Sequence, residues 1–269
     1  KDAAGGAILL AELASQLKKN GRTLVDYLDE IYLEYGYYAN LLSSMVMAGA
    51  EGLLQIQKIQ QSLRYNPPDR IGRWSVTSIS DHRDEQGIHG PILSGTDWAS
   101  RDFLVFELEN GARLIIRPSG TEPKNKVYTE VPRVPLGRGT GADELTTEKA
   151  AAQAIAQEIS DDFTRRMLAI IGVELPDYAL RISGLVSLEN RIDLVKSFLP
   201  ELETRVQDKG SSPAEISAWV DERLAGYGKD ARDLVRSAMA AYISAERETT
   251  DLSPARATGL DAMESIFSN

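Results

Sequence analysis

The sequence predicts an α+β protein, and three observations predict it. Apolar residues recur at helical spacing from the start, at Ala7, Ile8, Leu10, Ala11, Leu13, Ala14 and Leu17. Strand-like runs dominate between Trp74 and Val131. Helical periodicity then returns at 147 and persists to the end of the chain.

The first helix is expected over 2–19, closed by Asn20 and Gly21. Thr23 is placed to cap a second helix carrying Leu24, Leu28, Ile31 and Tyr35, and Gly36 breaks it. Residues 40–50 are small and apolar and run into Gly49 and Gly52, the pattern of a segment crossing between domains. A third helix presents Leu53, Ile56, Ile59, Gln60 and Leu63, and stops at Asn66, Pro67 and Pro68 because proline cannot continue it.

Strands follow at 74–79, 103–108, 113–116 and 126–131, with Glu109, Asn110, Gly111 and Ala112 as a hairpin signal. The polar stretch 82–98 holds both histidines, His82 and His89, neither with a recognisable catalytic partner; both are expected to be structural or solvated. Gly137, Arg138, Gly139, Thr140 and Gly141 lack the preceding strand and the Lys-Ser/Thr ending of a P-loop, so a flexible linker is expected. A long helix over 147–171 should pack across the sheet. Beyond it, helices are expected at 188–206, from Ser212 and Pro213 to Leu224, at 229–246, and after Pro254.

The chain has 269 residues, 42% of them hydrophobic, enough to bury a sizeable core. A net charge of −10 argues against nonspecific nucleic-acid binding, which needs a basic surface. The absence of cysteine excludes disulfides and thiolate chemistry, and two histidines do not make a histidine metal cage. No apolar run has the length of a membrane span and no signal-like opening is present, so no membrane partner and a cytoplasmic location are expected. A start at Lys1 that falls directly into helical periodicity suggests a piece of a longer protein. Residues 174–269 carry seventeen acidic and eleven basic residues, which suits a solvated packing or oligomerisation module.

The chemistry concentrates at Arg117, Pro118, Ser119, Gly120, Thr121, Glu122 and Pro123, delivered by Leu114, Ile115 and Ile116 and followed by Lys124, Asn125, Lys126, Val127 and Tyr128. An exposed loop between two strands, with a guanidinium, two hydroxyls and a glycine that lets the backbone come close, is an anion receptor, and phosphate is the expected anion. The same Pro-Ser-Gly sequence is also ordinary turn chemistry, with Arg117 a solvated strand-end charge. Glu122 is expected to brace the loop, because like charges repel.

This stretch closely resembles the phosphate-binding loop of the α-D-phosphohexomutases, the phosphoglucomutase and phosphomannomutase family. Tyr35, Gly36, Tyr37 and Tyr38, and the run Leu63, Arg64, Tyr65, Asn66, Pro67 and Pro68, also resemble that family, whereas Ala3 stands where a glycine is usual. The resemblance implies closing helices of an α/β third domain over 1–39. It implies a TATA-binding-protein-like fourth domain, an antiparallel sheet with helices, over 40–171. Residues 172–269 are left as a helical extension.

It further implies the C-terminal part of an enzyme that interconverts sugar 1-phosphate and 6-phosphate through a phosphoserine and a bisphosphate intermediate. Arg117, Ser119, Gly120, Thr121 and Lys126 would hold the substrate phosphate that is not reacting. The family's Ser-His-Asn-Pro nucleophile loop and Asp-Gly-Asp metal cluster are absent, so no catalytic or metal residue is expected in this chain, which alone should be inactive. Mg²⁺ and a sugar 1,6-bisphosphate activator would serve the complete enzyme. The implied partners are the phosphosugar, the upstream domains 1–3, and further copies through the helical extension. The rival expectation is a non-catalytic phosphate sensor or scaffold whose helices recruit a partner.

Overall fold

In the computed structural model, residues 2–120, 122–208, 210–249 and 252–268 are described. Strands β1 (Tyr38–Val46), β2 (Arg70–Ile71), β3 (Trp74–Asp81), β4 (Leu104–Leu108), β5 (Arg113–Pro118) and β6 (Lys124–Pro132) form one antiparallel sheet. Its order is β1-β6-β5-β4-β3-β2.

The stretch at 40–50 expected to cross between domains is instead the edge strand β1, followed by the first turn of the next helix. Its two-residue period is present, with Ala39 and Met45 buried, but small polar side chains at Ser43 and Ser44 conceal it in the sequence. Helices α3 (Gly49–Tyr65) and α5 (Ala142–Ile170) cover one face of the sheet. Ile56, Ile59, Phe106, Leu114, Ile116, Val127 and Phe163 share the resulting core. Helix α5 begins five residues before the expected start, because its first turn is polar and only Leu145 there is buried.

Helices α1 (Ala3–Lys19) and α2 (Leu24–Tyr35) form as the capping residues predict. Asp2 accepts from Gly5 N–H at 2.8 Å, and Thr23 and Asp26 make a reciprocal capping box. Helix α1 buries only Leu17 and leaves Ile8, Leu9 and Leu10 exposed. The glycine-rich segment after Pro132 is not a loose linker. Gly137 N–H donates to Leu33 O at 2.9 Å, Arg138 pairs with Glu34, and Arg133 pairs with Glu148, so the segment straps α2 to α5.

The stretch 82–103 is a folded excursion with a short helix α4 (Gly95–Ser100). Arg101 organises it by donating to the carbonyls of His82 at 2.6 Å and Gly90 at 2.9 Å. His82 stacks on Phe103 with ring centres 3.8 Å apart and lies against a tilted His89 ring at 4.4 Å. Burial, then His89 and Arg101, holds the His82 imidazole below its usual range.

The C-terminal region is a second core. After α6 (Leu188–Asp193), helices α7 (Leu199–Gln207), α8 (Pro213–Leu224), α9 (Ala231–Arg247) and α10 (Pro254–Ser268) gather around Phe198, Leu202, Val220, Met239 and Met263. The single helix expected at 188–206 is interrupted by a wide turn over Leu194–Phe198, where Leu199 N–H reaches back five residues to Leu194 O. Pro200, which has no N–H to donate, explains the interruption.

The two cores meet at α6. Its Leu188 is buried in the sheet core, Ser187 pairs with Val46, and the Glu189 carboxylate accepts from Ala48 N–H at 3.2 Å. Gly52, on α3, faces the same corner: a Cβ there would lie 2.1 Å from Met47 O.

Candidate functional site: a basic loop end on the open face of the sheet

Alternation decides where the loop's charges point. Leu114 and Ile116 of β5 are fully buried, so Arg113, Ile115 and Arg117 take the opposite, open face. On β6, Val127 and Val131 are buried and Lys126, Tyr128 and Glu130 share that open face.

Register then assembles rows across it. Arg117 lies opposite Lys126, which lies opposite Ser44. The next row is apolar, running Leu42, Tyr128, Ile115 and Val105. Beyond it stand Glu130, Arg113 and Glu107. Directly opposed side chains in antiparallel strands lie about 4.5–5.5 Å apart at Cβ, so Arg117 and Lys126 bring two positive charges to one spot.

Among the described residues, Arg117 is exposed and makes no ion pair or side-chain hydrogen bond. Arg113, four residues earlier on the same face, donates to Glu107 at 2.8 Å, and that bond raises its pKa. Glu122 pairs with Lys124, whose hydrogen bond holds the Glu122 carboxyl below its usual range, in line with the bracing role expected from sequence.

The backbone of the loop is fixed at its legs. Ser119 N–H donates to Lys124 O at 2.8 Å, Lys124 N–H to Glu122 O at 2.8 Å, and Met47 N–H to Pro123 O at 2.8 Å. Ser119 is half-buried and Gly120 is exposed. A Cβ added at Gly120 would meet nothing within 4 Å, so the fold itself does not require glycine there. Thr121 lies outside the described residues. Arg117, Ser119, Gly120 and Lys126 are thus brought together at one end of the open face.

Beneath the loop, Gln60 takes the inward side of α3 on which the sequence places it, and it is joined by Asn125, whose inward position the sequence reading did not assign. Asn125 and Gln60 are buried on the core side, 3.5 Å apart, with Asn125 Nδ2 and Gln60 Oε1 lacking any partner. The strand period could have found Asn125, which takes an inward position in line with Val127 and Val131.

A pocket of about 410 Å³ opens between β1, α5 and residues 180–185. Its acidic group Asp161 is neutralised by Arg181 at 2.8 Å, and Ser160 bonds Ser43. Among the described residues no group of three or more His, Asp or Glu could hold a metal, and no helix is long and apolar enough to cross a membrane.

Residues 48–136 match the phosphoglucomutase/phosphomannomutase C-terminal domain. A protein of Haemophilus influenzae called "Probable phosphomannomutase" is 42% identical over 130 residues, 48% of this chain and 24% of that protein. A Staphylococcus aureus phosphoglucomutase is 33% identical over 132 residues, 49% of this chain and 24% of its own. The chain therefore spans about a quarter of the length of these relatives. The crystal structure of the Paramecium phosphoprotein pp63/parafusin, a phosphoglucomutase in open form, aligns at 16% identity over 53% of this chain and 23% of that one. Its TM-score of 0.29 is too low to carry an argument. On these sequence matches, the likeness of this chain to the phosphoglucomutase/phosphomannomutase C-terminal domain lies in residues 48–136.

Proposed function

We propose that this chain is the C-terminal part of a phosphohexomutase and that its 117–123 loop anchors the substrate phosphate that is not reacting. One observation carries this: Arg117 and Lys126 face each other at the loop end, and among the described residues no carboxylate is paired with Arg117. Two clustered cations, of which Arg117 has no ion-pair partner among the described residues, favour a doubly charged anion, and Arg117 offers a guanidinium fork for two of its oxygens. Ser119 and Thr121 would add hydroxyl donors, and the open space at Gly120 would let a phosphate oxygen approach the backbone.

The sheet gives such an anchor its purpose. A mutase that moves phosphate between two ends of a sugar must hold either end with the same group while the other reacts, so a fixed clamp remote from the chemistry raises the rate by orientation. The nucleophilic serine, the Mg²⁺ that would neutralise the transferring phosphoryl group, and the upstream domains 1–3 are assigned to the rest of the protein. So are the choice of sugar and any 1,6-bisphosphate activator. A cytoplasmic setting follows from that chemistry. Within this reading, 1–39 closes the third domain, 40–171 is the fourth, and 172–269 is a helical addition.

The test is a titration of the chain with glucose 6-phosphate, followed through the Gly120 and Ser119 amide signals. Saturable shifts confined to the loop, lost in Arg117→Ala, are expected, with no turnover by the chain alone. Absence of shifts at millimolar ligand would overturn the loop assignment, and turnover would overturn the division of labour.

A further inference from the structure

We propose that Glu189, in the C-terminal helical module, is a positioning residue for the 117–123 loop. The inference rests on the reading of that loop as a phosphate anchor and assigns its regulation to a part of the chain outside the 48–136 family match.

Three consecutive residues carry it. Val46 pairs on one side with Lys124, the second leg of the loop, and on the other with Ser187 of the helical module. Met47 donates its N–H to Pro123 O at 2.8 Å. Ala48 donates its N–H to Glu189 Oε1 at 3.2 Å. The loop and the helical module thus grip the same short segment from opposite sides.

For the Ala48 N–H, Glu189 is the partner that the described residues supply. Ala48 is the N-cap of α3 and supplies no side-chain cap, so its own N–H would be left to water without Glu189. A carboxylate at a helix N-terminus is also favoured by the helix dipole. Met47 is completely buried, which leaves it little freedom to shift independently of its neighbours. Releasing Ala48 therefore releases the Met47 N–H that holds Pro123, and with it the leg carrying Lys124 and Lys126.

Leu188, next to Glu189, enters the sheet core, so the whole of α6 is anchored where the contact is made. The helical module acts as a brace that fixes the distance between Lys126 and Arg117 across the loop.

The experiment compares the whole chain with Glu189→Ala and Glu189→Gln; glutamine keeps an acceptor oxygen and loses only the charge. Two readouts are used: glucose 6-phosphate affinity, and hydrogen exchange of the Met47 and Ser119 amides. Glu189→Ala should weaken affinity about fivefold and speed exchange at both amides, while Glu189→Gln restores most of both. Unchanged Ser119 exchange in Glu189→Ala, with the far-ultraviolet spectrum intact, would overturn the proposal. If the parent chain binds no sugar phosphate, the anchor reading fails. The exchange readout still decides the brace, since faster Ser119 exchange in Glu189→Ala supports it and unaltered exchange rejects it.

Discussion

The two ends of the open sheet face are built from the same residue types and do opposite things with them. At the hairpin end Arg113 is spent on Glu107, with Glu130 opposite. At the loop end Arg117 has only Lys126 opposite it, and the nearest loop acid, Glu122, is engaged by Lys124. The helical module follows the hairpin end: Arg223 pairs with Asp193, Arg247 with Asp261 and Glu264, and Arg256 with Glu203 and Glu246. A cation with its carboxylate at hand is part of the architecture. A cation left without one, beside a second cation, costs stability through repulsion and makes sense when an anion arrives.

The sharpest way to break this contrast is to truncate both arginines of β5. In the complete enzyme Arg117→Ala should lower kcat/KM by about 2–4 kcal/mol-equivalents of transition-state stabilisation, because a charge-assisted anchor is lost. The melting temperature should hold. Arg113→Ala should leave kinetics alone and cost at most about 0.5 kcal/mol, as expected of an exposed ion pair. Similar kinetic losses in the two variants would erase the distinction.

A second test concerns what lies under the loop end. Replacing Asn125 and Gln60 together by Leu and Met removes two buried groups that lack partners and should stabilise the fold by about 1–2 kcal/mol in urea unfolding. Destabilisation would mean that the pair is satisfied by water and matters to the loop.

Third, the loop end can be made to resemble the hairpin end. Ile115 lies two residues from Arg117 on the same face, so Ile115→Glu places a carboxylate within reach of both cations. Sugar-phosphate affinity should fall by about 1 kcal/mol, and 1 M salt should reduce the difference. Unaltered affinity would mean that Arg117 and Lys126 act through shape more than charge.

The smallest effect is on pH. Glu122 has its folded pKa depressed by the Lys124 hydrogen bond, so its bracing contribution is complete above the unfolded value of 4.5 and is lost as pH falls through the lower folded value. Amide exchange at Ser119, corrected for its intrinsic rate, should therefore show less protection at acid pH in the parent and no such change in Glu122→Gln.

Much of this layout was legible in the residues, and what was hidden was hidden for physical reasons. Thr23 with Asp26 and Ser212 with Glu215 announce helix starts by reciprocal hydrogen bonds that depend only on nearby sequence. The turn at Asn110 and Gly111 is equally local, with Gly111 at φ 80°. Strand β1 was missed because its inward residues include Ser43, and pairing with β6, some eighty residues on, makes it a strand. The candidate site was recognised from its loop, but the identity of its surroundings was not. That Arg113 is neutralised while Arg117 is open depends on which residue of β4 falls opposite, a matter of register. Glu189 was out of reach altogether, since its contact with Ala48 joins residues 141 positions apart.

Gly52 shows how such a corner would look to selection. It carries no chemistry, yet a single added carbon would press on Met47 O at 2.1 Å, and Met47 holds the loop through Pro123. In a saturation library scored for activity, position 52 should tolerate as few substitutions as position 117. The cause would be opposite, since one position demands a particular group and the other forbids any.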